Sequence, residues 1–341
     1  MQQIEHTDIE LARMKYIHAP LVSIIVVNYN GMAHLEECLG ALSAQRYPAF
    51  EVLVVDNCST DGSPTYIMAN YPEVRHIASE TNLGYSGAVN LALNDACGTY
   101  IAVLNMDAMV EPDWLEPLVD FLETHPEVGA VTPKIVLYHQ PNRINALGQN
   151  VHITALGFNR AFNRPDQPGA TMPIKVSGLH GAAFMLRKSL LEQMGGMNEA
   201  CFLYHEDVDL SWMVQLMGYD IYCLPTAVVR HKYTLKMDPQ KLYFLERNRL
   251  TMLLCNVRWT TLLLISPLLA LTECMMLAYC LRRGRSFIAA KARSLGWAWQ
   301  RREYIGRRRA QVQSLRRRSD WHMVSNLRLA YEWDQLIKLG R

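Results

Sequence analysis

Four short runs of apolar, mostly β-branched residues set the frame of this chain. They occupy residues 22–27 (VSIIVV), 51–55 (EVLVV), 74–78 (VRHIA) and 100–104 (YIAVL). Each is too short for a core helix, and the continuous apolar pattern fits strands buried on both faces. Between them lie stretches with helical spacing. Leu35, Cys38, Leu39 and Leu42 fall on one face of residues 31–45, Pro64 stands where a helix can begin, and residues 85–96 read as a third helix. Strand–helix alternation at this spacing predicts a doubly wound, mostly parallel sheet. Ligands of such sheets bind beyond the carboxyl ends of the strands. Three of the runs end in polar residues: Asn28-Tyr29-Asn30, Asp56-Asn57 and Asn105-Met106-Asp107. All three ends are expected on one rim.

Further along, residues 112–124 predict a helix, with Trp114, Leu115, Leu118 and Leu122 on one face. The Asn-, Gly- and Pro-rich stretch 134–175 reads as loops with short strands. Residues 176–186 look strand-like around Gly178 and Gly181, 207–216 helical, and 220–224 and 227–230 extended.

Charge divides the chain. Of 34 Lys+Arg, 16 lie from Arg282 to Arg341, where only 4 of the 32 Asp+Glu fall. An acidic body with a basic tail points to an anionic surface as partner of the tail. Nothing in the pattern points to nucleic acid. The 8 cysteines are scattered with no C-x-x-C pair, which argues against a zinc site and a disulfide framework. Residues 1–20 form a polar, charged extension, which is no signal peptide.

Residues 259–281 are apolar apart from Glu273 and contain Pro267. The length suits a bilayer span. The competing reading is a buried or interfacial helical pair broken at Pro267. Arg258 on one side and Arg282, Arg283 and Arg285 on the other favour a segment with both ends cytoplasmic. Beyond it, Arg307–Arg309 and Arg316–Arg318 alternate with apolar residues, as in an amphipathic helix on anionic lipid. The expected organisation is an extension at 1–20, a catalytic domain at 21–255, a membrane-associated segment at 256–285 and a basic helical tail at 286–341.

Candidate chemistry sits in the polar segments. Asp107, after a buried strand, suits Mg²⁺ or Mn²⁺, which take oxygen ligands and typically one or two carboxylates plus substrate phosphates. An Asp in that place also serves simply as a turn former. Asp56 begins a Ser/Thr/Asp/Gly-rich turn through Ser63, placed either to contact a nucleotide or to close an Asx turn. No G-x-G-x-x-G loop or P-loop occurs. His205-Glu206-Asp207-Val208-Asp209 crowds three carboxylates before a helix. Like charges repel, so the cluster reads as a tuned general base, or as acids stabilised by the helix dipole. His231 follows an extended run and either completes a metal site or forms a structural hydrogen bond.

Taken in order, these segments resemble glycosyltransferase family 2, of the GT-A fold, in its bacterial rhamnosyltransferase-like branch. The matching stretches are VSIIVVNYNG (22–31), VVDNCSTDGS (54–63), NLGYSGAVN (82–90), LNMD (104–107), SGLHGAAFMLR (177–187), HEDVDLSW (205–212) and His231 through FLERNR, ending at Arg249. The resemblance implies a GT-A nucleotide-diphospho-sugar transferase fold with a C-terminal helical, membrane-associated segment. It implies that Asn28, Asp56, Asn82 and Asn105 contact the donor, that Asp107 and His231 bind a divalent metal (Mg²⁺ or Mn²⁺), and that Asp207 is the base. Glu206, His180 and Asp209 are supporting or acceptor-side candidates. Asn105 stands where the metal motif usually has an acid, as is common in this branch. The Q-x-x-R-W motif of processive synthases is absent.

The expectation is therefore an inverting, non-processive enzyme at the cytoplasmic face of the inner membrane. It would move one sugar from a nucleotide-sugar donor to a glycan or lipid-linked acceptor in cell-surface polysaccharide synthesis. Two rivals stand beside it. A sugar-nucleotide-making nucleotidyltransferase would need a glycine- and basic-rich loop where Asn28-Tyr29-Asn30-Gly31 stands. A non-catalytic membrane-associated scaffold would have no need of Asp107 and Asp207.

Overall fold

The computed structural model describes residues 19–167, 169–234 and 236–339. The expected N-terminal extension lies outside these residues, apart from Ala19 and Pro20. β1 (Val22–Asn28) is buried along its whole length. Its side chains alternate between two cores, as a strand's period of two dictates. Val22, Ile24 and Val26 pack with Leu35, Cys38, Leu39 and Leu42 of α1 (Met32–Ser43), while Ile25 and Val27 enter the opposite core. β2 (Phe50–Asp56), α2 (Ser63–Asn70), β3 (Arg75–Ala78), α3 (Gly84–Leu93) and β4 (Tyr100–Asn105) continue the expected alternation. Pro64 lies in the first turn of α2.

β5 (Ala108–Val110) and α4 (Leu115–Thr124) lead into β6 (Val128–Leu137), β7 (Gln140–Ala146), β8 (Gln149–Val151) and β9 (Gly157–Asn159). After β10 (Ile174–Lys175) and β11 (Ala183–Arg187) come α5 (Lys188–Gln193), α6 (Glu206–Leu216), β12 (Asp220–His231) and α7 (Pro239–Asn256). The main sheet runs β10-β12-β6-β11-β4-β1-β2-β3, with β5 beside β12, β7 beside β6, and β8–β9 a separate hairpin.

Two expectations need correction. The sheet is mixed rather than mostly parallel. β11 runs antiparallel to both β4 and β6, and β5, β7 and β10 are antiparallel to their neighbours. A buried apolar run reads the same in either direction, so the sequence carried no sign of the reversal. The stretch 134–175 is also less irregular than its composition suggests. β6 is 10 residues long, enters that stretch, and tolerates Pro133 because its ladder with β12 is interrupted between Leu224 and Val228.

Six helices follow α7: α8 (Trp259–Leu264), α9 (Ser266–Arg283), α10 (Arg285–Gln300), α11 (Arg302–Leu315), α12 (Asp320–Asn326) and α13 (Trp333–Leu339). Among the described residues no helix is long and apolar enough to cross a membrane. The apolar stretch is the broken helical pair, with Pro267 at the start of α9. Nor is the basic tail a free helix. Arg308 approaches Asp209 at 3.8 Å, and Arg318 bonds Asp220 at 2.7 Å. Arg309 donates to the carbonyls of Leu254 and Val257 and stacks on Trp259 at 4.0 Å. Arg316 pairs with Asp320. Ile305, Val312, Met323 and Leu327 enter the same core as Val151, Val208 and Trp212. Part of the tail's charge is thus met by the protein itself, while Arg301, Arg302, Arg307, Arg317 and Arg328 stay exposed.

Candidate functional site

Register brings the polar strand ends together. Asn28 lies opposite Asp56 across β1 and β2, and Val27 lies opposite Asn105 across β1 and β4. Asn28 is wholly buried, and its Nδ2 donates to Asp56 Oδ1 (2.9 Å), Ser59 Oγ (3.1 Å) and Ser63 Oγ (2.8 Å). Asp61 accepts from the Met32 amide at 2.9 Å, so the turns after β1 and β2 are laced to each other. Gly31 is packed too closely for a side chain: a Cβ there would meet Met106 Sδ at 2.2 Å and Asn28 Oδ1 at 2.5 Å. Asn57 Nδ2 donates to Asn82 Oδ1 at 3.0 Å, and that oxygen also accepts from the Gly84 amide at 2.9 Å. Asn28, Asp56 and Asn82 thus share one rim, with Asn28 beneath it.

A second group forms where β5 pairs with β12, placing Ala108 opposite His231. His231 Nε2 lies 3.4 Å from Asp107 Oδ1. His231 Nδ1 lies 2.8 Å from Asn145 Oδ1, an acceptor that keeps a proton on Nδ1 and makes Nε2 the atom that faces Asp107. Burial would raise the Asp107 carboxyl, but the neighbouring His231 outweighs it and holds it below its usual range. His180 packs edge-on to His231, 5.8 Å between ring centres. Burial, helped by His231, pushes the His180 pKa down to about 3, so its ring is neutral.

Among the described residues no three His, Cys, Asp or Glu side chains gather as a metal cluster. The Asp107–His231 pair nonetheless fits a hard cation that completes its shell with phosphate oxygens and water. Asp107 Oδ1 has no hydrogen-bond donor, and the adjacent Asn105 Oδ1 is also buried without one.

The third group is the turn into α6. Tyr204 and His205 adopt left-handed backbone angles (φ 62° and 70°), which swing the next carboxylates into the fold. Asp207 Oδ2 accepts from the Gly181 amide at 2.9 Å and from Gln149 Nε2 at 2.7 Å, and Oδ1 from the Val208 amide at 2.8 Å. Burial raises the Asp207 carboxyl against the pull of these bonds. Glu206 is raised further, by burial and then by Asp207 beside it, and its Oε2 has no partner.

A cavity of about 320 Å³ opens on this group, and Asn105, His180, Glu206, Asp207 and His231 all line it. Asp209 does not belong there. It is buried on the far side of α6, bonded by Asn256 Nδ2 at 3.0 Å and facing Arg308. In a helix of 3.6 residues per turn, residues two apart point to nearly opposite sides, so Asp209 faces away from Asp207. Gln149, Asn145 and Lys241 were not legible as site residues. Gln149 and Asn145 flank a turn of no recognisable motif, and only the fold carries them to Asp207 and His231.

With this geometry in place, comparison with known proteins is informative. Residues 23–195 match the model of the family described as Glycosyl transferase family 2. The N-acetylglucosaminyl-diphospho-decaprenol L-rhamnosyltransferase of Mycobacterium tuberculosis is 29% identical over 234 residues, covering 62% of this chain and 76% of the relative. The O-antigen biosynthesis protein RfbC of Myxococcus xanthus is 28% identical over 225 residues, 62% of this chain but 17% of that one. Among solved structures, a mannosyltransferase from Pyrobaculum calidifontis in complex with GDP-Man and Mn²⁺ superposes with a TM-score of 0.52 at 20% identity, over 91% of this chain and 87% of that one. GalNAc-T7 with UDP, GalNAc and Mn²⁺ gives 0.56 at 15% identity over 70% of this chain, which spans about half (48%) of that protein. These likenesses establish a GT-A-like α/β fold. The family model, which takes in half of the sequence from Ser23 to Gly195, establishes more: the chain belongs to glycosyl transferase family 2.

Proposed function

We propose that this glycosyltransferase moves a single sugar, with inversion, from a nucleotide-sugar donor to an acceptor hydroxyl, with Asp207 as general base. One observation carries the reading. Asp207 is fixed by three hydrogen bonds at the wall of a cavity, is raised toward neutrality by burial, and shares that cavity with His231, whose Nε2 lies 3.4 Å from Asp107. The donor's nucleoside lies on the rim of Asp56 and Asn82, with Asn28 holding Asp56 and Asn105 at the junction. Asp107 and His231 would hold Mg²⁺ or Mn²⁺, which when bound offsets charge on the departing diphosphate.

The acceptor hydroxyl gives its proton to the Asp207 carboxylate as its oxygen bonds to the anomeric carbon. The bond from that carbon to the diphosphate oxygen breaks, and the nucleoside diphosphate leaves with the electron pair. No protein nucleophile is needed, and His180, held neutral, lends a hydrogen-bonding wall.

The Mycobacterium relative's acceptor is a sugar on a lipid diphosphate, as its name states. A lipid-linked acceptor in cell-surface polysaccharide synthesis suits the present chain as well. Residues 21–255 then carry the chemistry, and the helices of 256–339 supply the acceptor-side wall. The outer face of α9 supports peripheral membrane binding at the cytoplasmic leaflet. Ala270, Leu271, Cys274, Leu277, Ala278 and Leu281 are all exposed there, between exposed Arg258 and Arg282. All 8 cysteines are free, as a reducing compartment requires.

The deciding test is Asp207→Asn against a panel of sugar nucleotides. Transfer should fall about 10²- to 10⁴-fold, while calorimetry shows donor affinity retained. Near-normal turnover would remove Asp207 from the mechanism.

A further inference from the structure

Two cations line the cavity that holds Asp207, namely Arg249 and Lys241. Arg249 is already neutralised. It pairs with Glu246 at 2.9 Å and with Glu273, and Lys291 bridges the same two carboxylates. Lys241 has no such arrangement. Among the described residues no carboxylate lies within 4.0 Å of its ammonium, which sits 4.8 Å from the centre of the Tyr204 ring. Its backbone amide is the one that Asp238 caps at the start of α7.

The same cavity carries several apolar side chains, namely Met237, Leu242 and Leu245, with Met276 of α9 and Leu336 of α13. Met276 turns inward, whereas the next residue, Leu277, lies exposed on the outer face of the same helix. The cavity therefore reaches the inner side of α9, the helix whose outer leucines are offered to a bilayer. Deeper in the cavity, two polar groups wait for partners. His205 and Glu206 are only 6% and 8% exposed, and His205 Nε2 and Glu206 Oε2 have no hydrogen bond. Unpaired buried polar atoms are costly unless a ligand satisfies them.

We propose that Lys241 binds the phosphate of a prenyl-type phosphate or diphosphate lipid, so that the sugar it carries lies between His205, Glu206 and Asp207. The inference rests on the acceptor reading above and names its ligand. A half-buried cation without a carboxylate partner calls for an anion, the apolar side chains of the same cavity call for a hydrocarbon, and the orphaned pair calls for hydroxyls. A phosphate ester is the linkage that joins a sugar to a lipid alcohol and still carries negative charge. Burial depresses the Lys241 ammonium, with Asp238 opposing, and an incoming phosphate would restore its charged form.

The test is direct binding to the full-length protein in detergent with EDTA, which keeps any diphosphate from a metal at Asp107. The probes are farnesyl diphosphate, farnesol and inorganic pyrophosphate. The wild type should bind farnesyl diphosphate more tightly than either fragment. Lys241→Met should weaken farnesyl diphosphate about 10- to 100-fold, the range for a charge-assisted contact, and leave farnesol unchanged. Lys241→Arg should retain most of the affinity and shows that the site still folds. Unaltered farnesyl diphosphate binding by Lys241→Met overturns the proposal. Pyrophosphate binding as tight as farnesyl diphosphate overturns its lipid half. The glycosyltransferase reading is judged separately, on sugar-nucleotide hydrolysis by the wild type without acceptor, so the two can fail independently.

Discussion

Replacing Gln149 with Met should move the acid limb of the pH–rate profile upward. Three donors hold the Asp207 carboxylate against the burial that raises it, and Gln149 Nε2 supplies the shortest of these bonds at 2.7 Å. A hydrogen bond to a charged group contributes about 1.5–3 kcal/mol, and one pKa unit corresponds to about 1.36 kcal/mol. Since the Gly181 and Val208 amides remain, the lower end of that range applies, a rise of about one unit. The base works only when ionised. Below the limb the variant should therefore be about tenfold slower than wild type, with the two curves converging at high pH. The substitution keeps volume, and the hairpin that carries it is pinned independently, by the Val151 amide to Ser177 Oγ at 2.8 Å. The assay is kcat/KM against pH, followed by transfer or by donor hydrolysis. A limb that stays in place, or a loss uniform across pH, would refute the electrostatic role of Gln149 and leave it a packing residue.

Three further outcomes follow from the same geometry. Glu206 has a raised pKa in the fold, so the folded state favours its proton. Its contribution to stability is complete below the ordinary carboxylate range and is lost as pH climbs through the raised value. Glu206→Gln should thus raise Tm at pH 8 and leave it nearly unchanged at pH 5, and equal shifts at both would contradict this. Asp107→Ala should abolish the Mn²⁺ dependence of nucleoside-diphosphate binding in calorimetry, whereas an unaltered metal effect would exclude the Asp107–His231 pair. Leu271→Glu with Leu277→Glu should release the protein from anionic vesicles without loss of fold, while high salt alone leaves wild type bound, since apolar burial is insensitive to screening. Release of the wild type by salt alone would show that charge carries the attachment.

The sequence made the first half of the fold legible because two local signals agreed there. Continuous apolar runs marked buried strands, and i, i+3, i+4 spacing marked α1. The polar residues that ended those runs, Asn28, Asp56 and Asn105, did arrive on one rim, since parallel register fixes strand ends together. What stayed hidden depends on tertiary placement. The reversal of β11 leaves no mark in its composition. Gln149 and Asn145 reach Asp207 and His231 only through the β6–β9 region, where turn-rich composition concealed strands. Asp209 was grouped with Glu206 and Asp207 by proximity in sequence, yet the helix sends it to Asn256 and Arg308. Composition likewise does not say which of the tail's arginines meet carbonyls and carboxylates, as Arg308, Arg309, Arg316 and Arg318 do, and which stay exposed, as Arg307 and Arg317 do.

Glu273, the one charge in the apolar stretch, explains how that stretch is arranged. In a helix covering a soluble core, the charge would face water and the leucines would face in. α9 is built the other way round. Glu273 turns inward to Arg249 and Lys291, Thr272 and Cys280 are buried, and Leu271, Leu277 and Leu281 are exposed. A buried ion network of this kind is seldom more stabilising than apolar residues of equal volume, because desolvating the charges offsets their attraction. What it does supply is orientation. Arg249, Glu246 and Lys291 each lie almost wholly buried, so rolling α9 to bring its leucines inward would take Glu273 from Arg249 and Lys291 and leave two buried cations to share Glu246 alone. The network therefore keeps the apolar face outward. Arg249 and Glu246 also line the cavity that holds Asp207, so the same contacts that hold α9 to the catalytic body fix one of that cavity's walls.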